Sequence, residues 1–199
     1  MYIPESLLLL SLVIVPFIGC VIAACMPADA RNRESLLAGG VALYGLLVSA
    51  YLYQYVGAGE IVRYQAAWLP MQGVNFALRM DGLAWLFVML VLGVGLLVVL
   101  YARYYMSPED PVPRFFAFLL AFMGSMLGVV LSGNLIQLVV FWELTSLTSF
   151  LLIGYWHHRI DARRGARMAF TVTAAGGLCL LLLVHGLEVD FGQVHGREA

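Results

Sequence analysis

The sequence predicts an all-α, polytopic membrane protein with about six transmembrane helices. Of its 199 residues, 62% are hydrophobic and only 12% are charged, whereas a soluble domain carries about 25% charged residues. The apolar residues gather in continuous runs of about 20, the length that crosses a hydrocarbon core of about 30 Å. Strands of a membrane β-barrel would show short alternating segments instead. The formal net charge of −1 gives no basis for binding nucleic acid.

The predicted spans follow from these runs and from the breaks between them. Pro16 interrupts the first run without ending it, because a membrane helix tolerates a proline kink. The acidic start at Glu5, with no basic residue before it, argues against a cleaved signal peptide. Three prolines within residues 107–113 predict a loop. One transmembrane domain, residues 1–185, therefore holds spans at 6–26, 35–56, 82–101, 115–131, 135–156 and 168–184, and a frayed polar tail follows at 186–199.

A short β-hairpin is predicted between the second and third spans. In residues 74–80 a large apolar side chain occurs at every second position, which is the period of a strand. The segment from Pro70 to Gly73 has turn-forming residues, so it would fold the chain around Trp68 back onto that strand. We expect Asp81 to cap the helix that follows. Asn134 opens the fifth helix after a short turn, which holds the fourth and fifth helices antiparallel.

The arginines predict the orientation of the chain. Eight of the eleven lie in the loops after the first, third and fifth spans, and the chain has no lysine. By the positive-inside rule these loops face the cytoplasm, so both termini and the hairpin lie outside. In the inner membrane of a bacterium, that side is the periplasm. The eight are Arg31, Arg33, Arg103, Arg114, Arg159, Arg163, Arg164 and Arg167.

Glu143 is the candidate functional residue. It lies within the apolar run from Leu135 to Trp156, whereas the other eleven acids lie at span ends, in loops or near the termini. Nine residues past Asn134, it is about 13 Å along the helix, too deep for its short side chain to reach water. A charge there costs about 2.5–3.5 kcal/mol on insertion scales. The residue is therefore either a proton carrier or a structural carboxylate held by a hydrogen bond.

Other polar residues of the spans have simpler interpretations. Thr145, Thr148 and Ser149 fall on the helix face opposite Glu143, which predicts helix packing with hydroxyls bonded back to carbonyls one turn earlier. The pair at 176–177, both glycine, predicts a close helix contact. No Cys/His cluster and no phosphate-binding glycine motif occurs, so the sequence predicts neither a metal site nor a bound cofactor.

The motif around Glu143 resembles a known family. The run Phe141-Trp142-Glu143-Leu144-Thr145-Ser146, with the residues from Asn134 to Trp156 around it, closely resembles the A subunit of Mrp-type multisubunit cation/proton antiporters. Supporting matches are Asp81-Gly82-Leu83 and the run at 122–128. The resemblance implies that Glu143 helps to carry protons, coupled to sodium or another monovalent cation. It also implies that the chain works in the lipid bilayer with the other subunits of a hetero-oligomeric complex.

The same superfamily includes the antiporter-like subunits of respiratory complex I and of membrane-bound hydrogenases. In the complex I branch, the residues after the glutamate resemble Gly-Val-Gly more than the Leu144-Thr145-Ser146 of this chain, which favours the antiporter branch. Two alternatives remain, a proton-translocating subunit of a redox enzyme complex and a non-transporting assembly fragment. Family members continue for many more helices and contain lysines that pair with the glutamate. We therefore interpret the chain as an N-terminal portion of such a protein.

Overall fold

The computed structural model describes residues 4–27, 31–69, 74–106, 112–156 and 159–195. Six helices in this part of the chain are long and apolar enough to cross a membrane, which confirms the predicted fold class. A two-stranded sheet lies between the second and third helices. The elements are α1 Glu5–Ala24, α2 Arg31–Val56, β1 Val62–Leu69, β2 Val74–Met80, α3 Gly82–Tyr105, α4 Val112–Leu131, α5 Leu135–Ile153 and α6 Ile160–His195.

Several helices extend beyond the predicted spans. A charged residue can lie outside the hydrocarbon core and still belong to the helix. α2 begins at Arg31 and α3 continues to Tyr105. α4 begins at Val112, so Pro113 lies in its first turn, where the missing backbone amide costs no hydrogen bond. The rest of the predicted loop at 107–113 lies outside the described residues. Pro16 lies inside a continuous α1, as predicted.

The C-terminal segment differs most from the prediction. The sequence predicts a frayed tail over 186–199, but α6 continues through His195, so the backbone of residues 186–195 is helical. Polar composition suggested a tail, yet residues 160–195 contain no proline. Each added residue of a helix that is already nucleated gains a hydrogen bond. Residues 196–199 lie outside the described part of the chain.

The helices pack around α4. In the membrane-crossing segment of α4, 56% of the residues are buried, compared with 11% in that of α6. Within the described residues α4 therefore lies at the centre of the bundle and α6 at its edge. α4 packs against α1 on one side and α5 on another, and α6 packs against α5. One apolar cluster joins the hairpin to the helix ends near it, and its buried members include Leu9, Leu52, Leu78, Met80 and Leu131. A second cluster, with Ala38, Met106, Val112 and Phe116, fills the opposite end.

The hairpin forms as predicted. β1 and β2 pair antiparallel from Val62 opposite Met80 to Leu69 opposite Val74, with an irregularity between Ala67 and Leu69. Leu78 and Met80 point into the apolar cluster and are buried. The turn predicted for residues 70–73 lies outside the described residues.

The predicted cap at Asp81 is confirmed, and a second cap, at Asn134, holds the hairpin to α5. Asp81 accepts a hydrogen bond from the Ala84 amide at 2.9 Å. Asn134 accepts one from the Gln137 amide at 2.7 Å, and its own side-chain amide donates to the Asn75 carbonyl of β2. The buried Gln137 side chain accepts a bond from the Ala77 amide of β2 at 2.8 Å. The start of α5 is therefore bonded directly to β2.

We expect Gln137→Leu to destabilise the protein, because the Ala77 amide would lose its acceptor in a partly buried position. An unsatisfied buried donor costs about 1–3 kcal/mol. The free energy of unfolding of the full-length protein in detergent measures the loss, and amide exchange at Ala77 locates it. Gln54→Leu makes the same change at an exposed position of α2 and is the matched control. Equal effects of the two changes would contradict the proposed hydrogen-bonded link.

Candidate functional site

The candidate site is built on α5, which lies between α4 and α6. On the α4 side, the Phe141 ring lies so close to Gly128 that a Cβ there would collide with the ring. On the α6 side, the Glu143 carboxylate lies against Gly177 in the same way. The two glycines leave space for two large side chains of one helix. This confirms the predicted close contact at Gly177, whereas a Cβ at Gly176 would meet no atom within 4 Å.

Glu143 is the ninth of the 19 residues of α5, so it lies near the middle of the span. The side chain as a whole is partly buried, and Oε1 is fully buried. Within the described residues this oxygen has no hydrogen-bond partner. Trp142 packs beside it, 3.1 Å from the position that a Cβ of Gly177 would occupy. An ionisable oxygen held in this way is able to accept a proton without first breaking a hydrogen bond.

The hydroxyl groups of α5 bond to their own helix, as predicted. Thr145 donates to the Phe141 carbonyl at 2.8 Å, and Thr148 donates to the Leu144 carbonyl at 2.9 Å. Ser146, one turn beyond Glu143, donates to the Trp142 carbonyl at 3.1 Å. These hydroxyl protons are therefore directed to backbone carbonyls, and none of them holds the carboxylate of Glu143.

Glu34 is a second buried acid, which sequence reasoning missed. It is the charged residue among the fully buried side chains of the described part, with 0% of its surface exposed. Neither of its oxygens has a hydrogen-bond partner within the described residues. The predicted second span begins at Ser35, so Glu34 was assigned to the loop before it. The signal was its helical spacing, since Ala38 and Val41 follow at four and seven residues and are buried on the same face.

The other candidates have structural roles. Asp81 caps α3 and pairs with Arg79 at 3.3 Å, and both side chains are well exposed. Exposed ion pairs of this kind contribute about 0–1 kcal/mol. Among the described residues, no group of three or more potential ligands is placed to hold a metal ion.

Comparison with known proteins identifies the family. Residues 68–116 match the model for the N-terminus of chain 5 of NADH-ubiquinone oxidoreductase (complex I). Residues 132–191 match the transmembrane model of NADH:quinone oxidoreductase and Mrp antiporters. Over 170 residues, 85% of this chain, it is 61% identical to the A/B subunit of a probable K(+)/H(+) antiporter of Rhizobium meliloti (strain 1021). The chain belongs to the family of Mrp-type antiporter A subunits. This confirms the resemblance seen in the sequence.

A second relative in this family is the A subunit of the Na(+)/H(+) antiporter of Alkalihalophilus pseudofirmus. It is 46% identical over 140 residues, which is 68% of this chain. The chain spans 17% of the length of each of these two curated relatives. It therefore corresponds to the N-terminal portion of an Mrp-type A subunit.

Solved structures share the fold of this portion of the Mrp-type protein. The Mrp complex from Dietzia sp. DQ12-45-1b superposes with a TM-score of 0.73 and 30% identity, over 96% of this chain and 20% of that chain. A membrane-bound sulfane sulfur reductase, an archaeal respiratory membrane complex, superposes with a TM-score of 0.74 over 95% of this chain and 28% of that chain. At 21% identity, the second comparison shows a common fold alone.

We expect Gly177→Ala to displace the Glu143 carboxylate, because the new methyl group would occupy the position of Oε1. Overpacking of this kind costs about 1–3 kcal/mol. Gly176→Ala is the matched control, since it adds the same methyl group in open space. Alanine favours a helix over glycine by about 1 kcal/mol, so the control is neutral or stabilising. Thermal unfolding and an experimental structure of each variant measure the difference. Equal unfolding temperatures would contradict the contact.

Proposed function

We propose that this chain forms part of the A subunit of a monovalent cation/proton antiporter, with Glu143 in the proton path. The observation that supports the proposal is the buried Oε1 of Glu143, which has no hydrogen-bond partner within the described residues and lies in mid-span. The large majority of buried side-chain polar atoms in proteins are hydrogen-bonded. A carboxylate kept for architecture would have a donor. Its absence from the described part favours a group that exchanges a proton.

The chemistry of such a site is a single proton transfer. One carboxylate oxygen of Glu143 accepts a proton and becomes neutral, and loss of that proton restores the negative charge. In an apolar interior the charged form is costly unless a positive charge is close. Release of the proton is therefore favoured when a cation approaches. This dependence couples release of the proton to the approach of the cation, which is the exchange that an antiporter needs.

The names of the relatives support the other parts of the proposal. Both are called subunits of antiporters, so we infer that this chain assembles with further subunits. One name specifies potassium and the other sodium, so the exchanged ion is a monovalent cation. We place the complex in a bacterial inner membrane, with the arginine-rich loops in the cytoplasm and the hairpin in the periplasm. The competing function is that of a subunit in a redox-driven complex, because a chain of a respiratory membrane complex has the same fold.

We expect Glu143→Gln to lower cation-driven proton exchange at least tenfold in vesicles that contain the complete complex. Glutamine keeps the size and the hydrogen-bonding groups of the side chain but has no exchangeable carboxyl proton. A pH-sensitive dye inside the vesicles measures the exchange after a pulse of sodium or of potassium, which also identifies the cation. Exchange without any added electron donor separates an antiporter from a redox-driven complex.

Two further variants complete this test. Glu60→Gln changes an exposed acid in the loop after α2, and we expect it to leave exchange unchanged. Glu34→Gln changes the other buried acid. Exchange that survives Glu143→Gln but is lost in Glu34→Gln would refute the role of Glu143. Exchange that survives both Glu143→Gln and Glu34→Gln would show that neither buried acid carries the proton.

A further inference from the structure

A cavity of about 350 Å³ lies where the start of α4, the end of α5 and the start of α6 meet. Its volume falls in the range of about 300–1,000 Å³ that is typical of small-molecule sites. Three of the eleven arginines line it, together with apolar side chains. The lining residues that matter here are Arg114, Arg163, Arg167, Phe150, Leu151 and Ala166.

The cavity carries positive charge, and no acid among the described residues of its wall offsets that charge. No acidic side chain is among the described residues that line it. Asp161 lies in the first turn of α6 but does not line the cavity. The ion pair that the described residues form is elsewhere, between Arg79 and Asp81. A concentration of uncompensated cations of this kind is suited to an anionic ligand.

Two of the three guanidinium groups are held in position. The Arg114 guanidinium lies 5.4 Å from the centre of the Phe118 ring. Nε of Arg167 donates to the Arg163 carbonyl at 3.3 Å, which leaves its terminal nitrogens available. An arginine fork matches the oxygens of a phosphate group in pairs, which a lysine ammonium does not do. The arrangement therefore suits phosphate better than a diffuse negative charge.

The position of the cavity indicates where the phosphate comes from. Arg114 is the third residue of α4, and Arg163 is the fourth of α6, so both lie where these helices reach the membrane surface. Phe150 and Leu151 give the cavity an apolar wall on the side toward the span. A phospholipid has the same division, with a phosphate at the surface and apolar chains below it. Basic pockets between membrane helices bind acidic headgroups.

We propose that this cavity binds the headgroup of an acidic phospholipid, with Arg114, Arg163 and Arg167 around its phosphate. The site is separate from Glu143, which does not line the cavity and lies seven residues before Phe150, about 10 Å along α5. The proposal holds whether or not Glu143 carries protons. It gives the arginines at this end of the bundle a specific ligand in addition to their effect on orientation.

Lipid retention by the purified full complex tests the site. The complex is reconstituted in nanodiscs of phosphatidylcholine that contain phosphatidylglycerol, and native mass spectrometry counts the lipids that stay bound. We expect the double variant Arg114→Gln/Arg163→Gln to retain at least tenfold less phosphatidylglycerol than the unchanged complex. The charge-matched control, Arg103→Gln/Arg164→Gln, removes two arginines from the same end of the bundle that do not line the cavity, and we expect normal retention.

Three outcomes would overturn the proposal. Equal loss of lipid in both double variants would show an effect of net charge alone. Displacement of the bound lipid by inorganic phosphate would show a site for free phosphate. Density for another segment of protein in the cavity of the complex would show that no lipid enters it. Because the double variant could fail to assemble, Arg163→Lys is measured as well, and a few-fold loss with charge retained is expected.

Discussion

The close approach of α5 to its two neighbours determines the position of Glu143. A bilayer gives little hydrophobic drive for helices to associate, so close packing and small residues must hold them together. Gly128 allows the Phe141 ring to press against α4, and Gly177 allows the Glu143 carboxylate to press against α6. The two side chains are two residues apart and point to opposite faces. Movement of α5 toward either neighbour would therefore move the carboxylate.

The hairpin fixes the position of α5 along its own axis. The caps and bonds at Asn134 and Gln137 attach the start of the helix to β2. Glu143 lies six residues beyond Gln137, about 9 Å deeper at the usual helical rise. The Phe76 ring of β2 also lies 6.5 Å from the Phe141 ring, centre to centre. An element at the surface of the bundle thus sets the depth of a group in its interior.

The sequence predicted the elements and the mid-span acid because both follow from local chemistry. Long apolar runs can only be helices in a bilayer, and Asn134 can cap the helix that follows it. Glu34 was missed because its charge assigned it to a loop, although Ala38 and Val41 continue the same buried helix face. The frayed tail predicted after residue 185 differs from the helix that continues to His195, because polar residues end a membrane span and do not by themselves end a helix. The burial of Oε1 without a hydrogen-bond partner in the described residues is likewise set by packing.

The two buried acids differ in what surrounds them. That difference favours Glu143 over Glu34 as the proposed proton-exchanging group. Glu34 lies at the start of α2, on the face that continues into Ala38, and it is completely enclosed. Glu143 lies in mid-span, partly exposed, on a helix that packs on both sides. Within the described residues, no arginine forms an ion pair with it. Its negative charge must be balanced by a proton, by a mobile cation or by a group outside those residues. A site that a proton and a cation can neutralise in turn is what exchange requires.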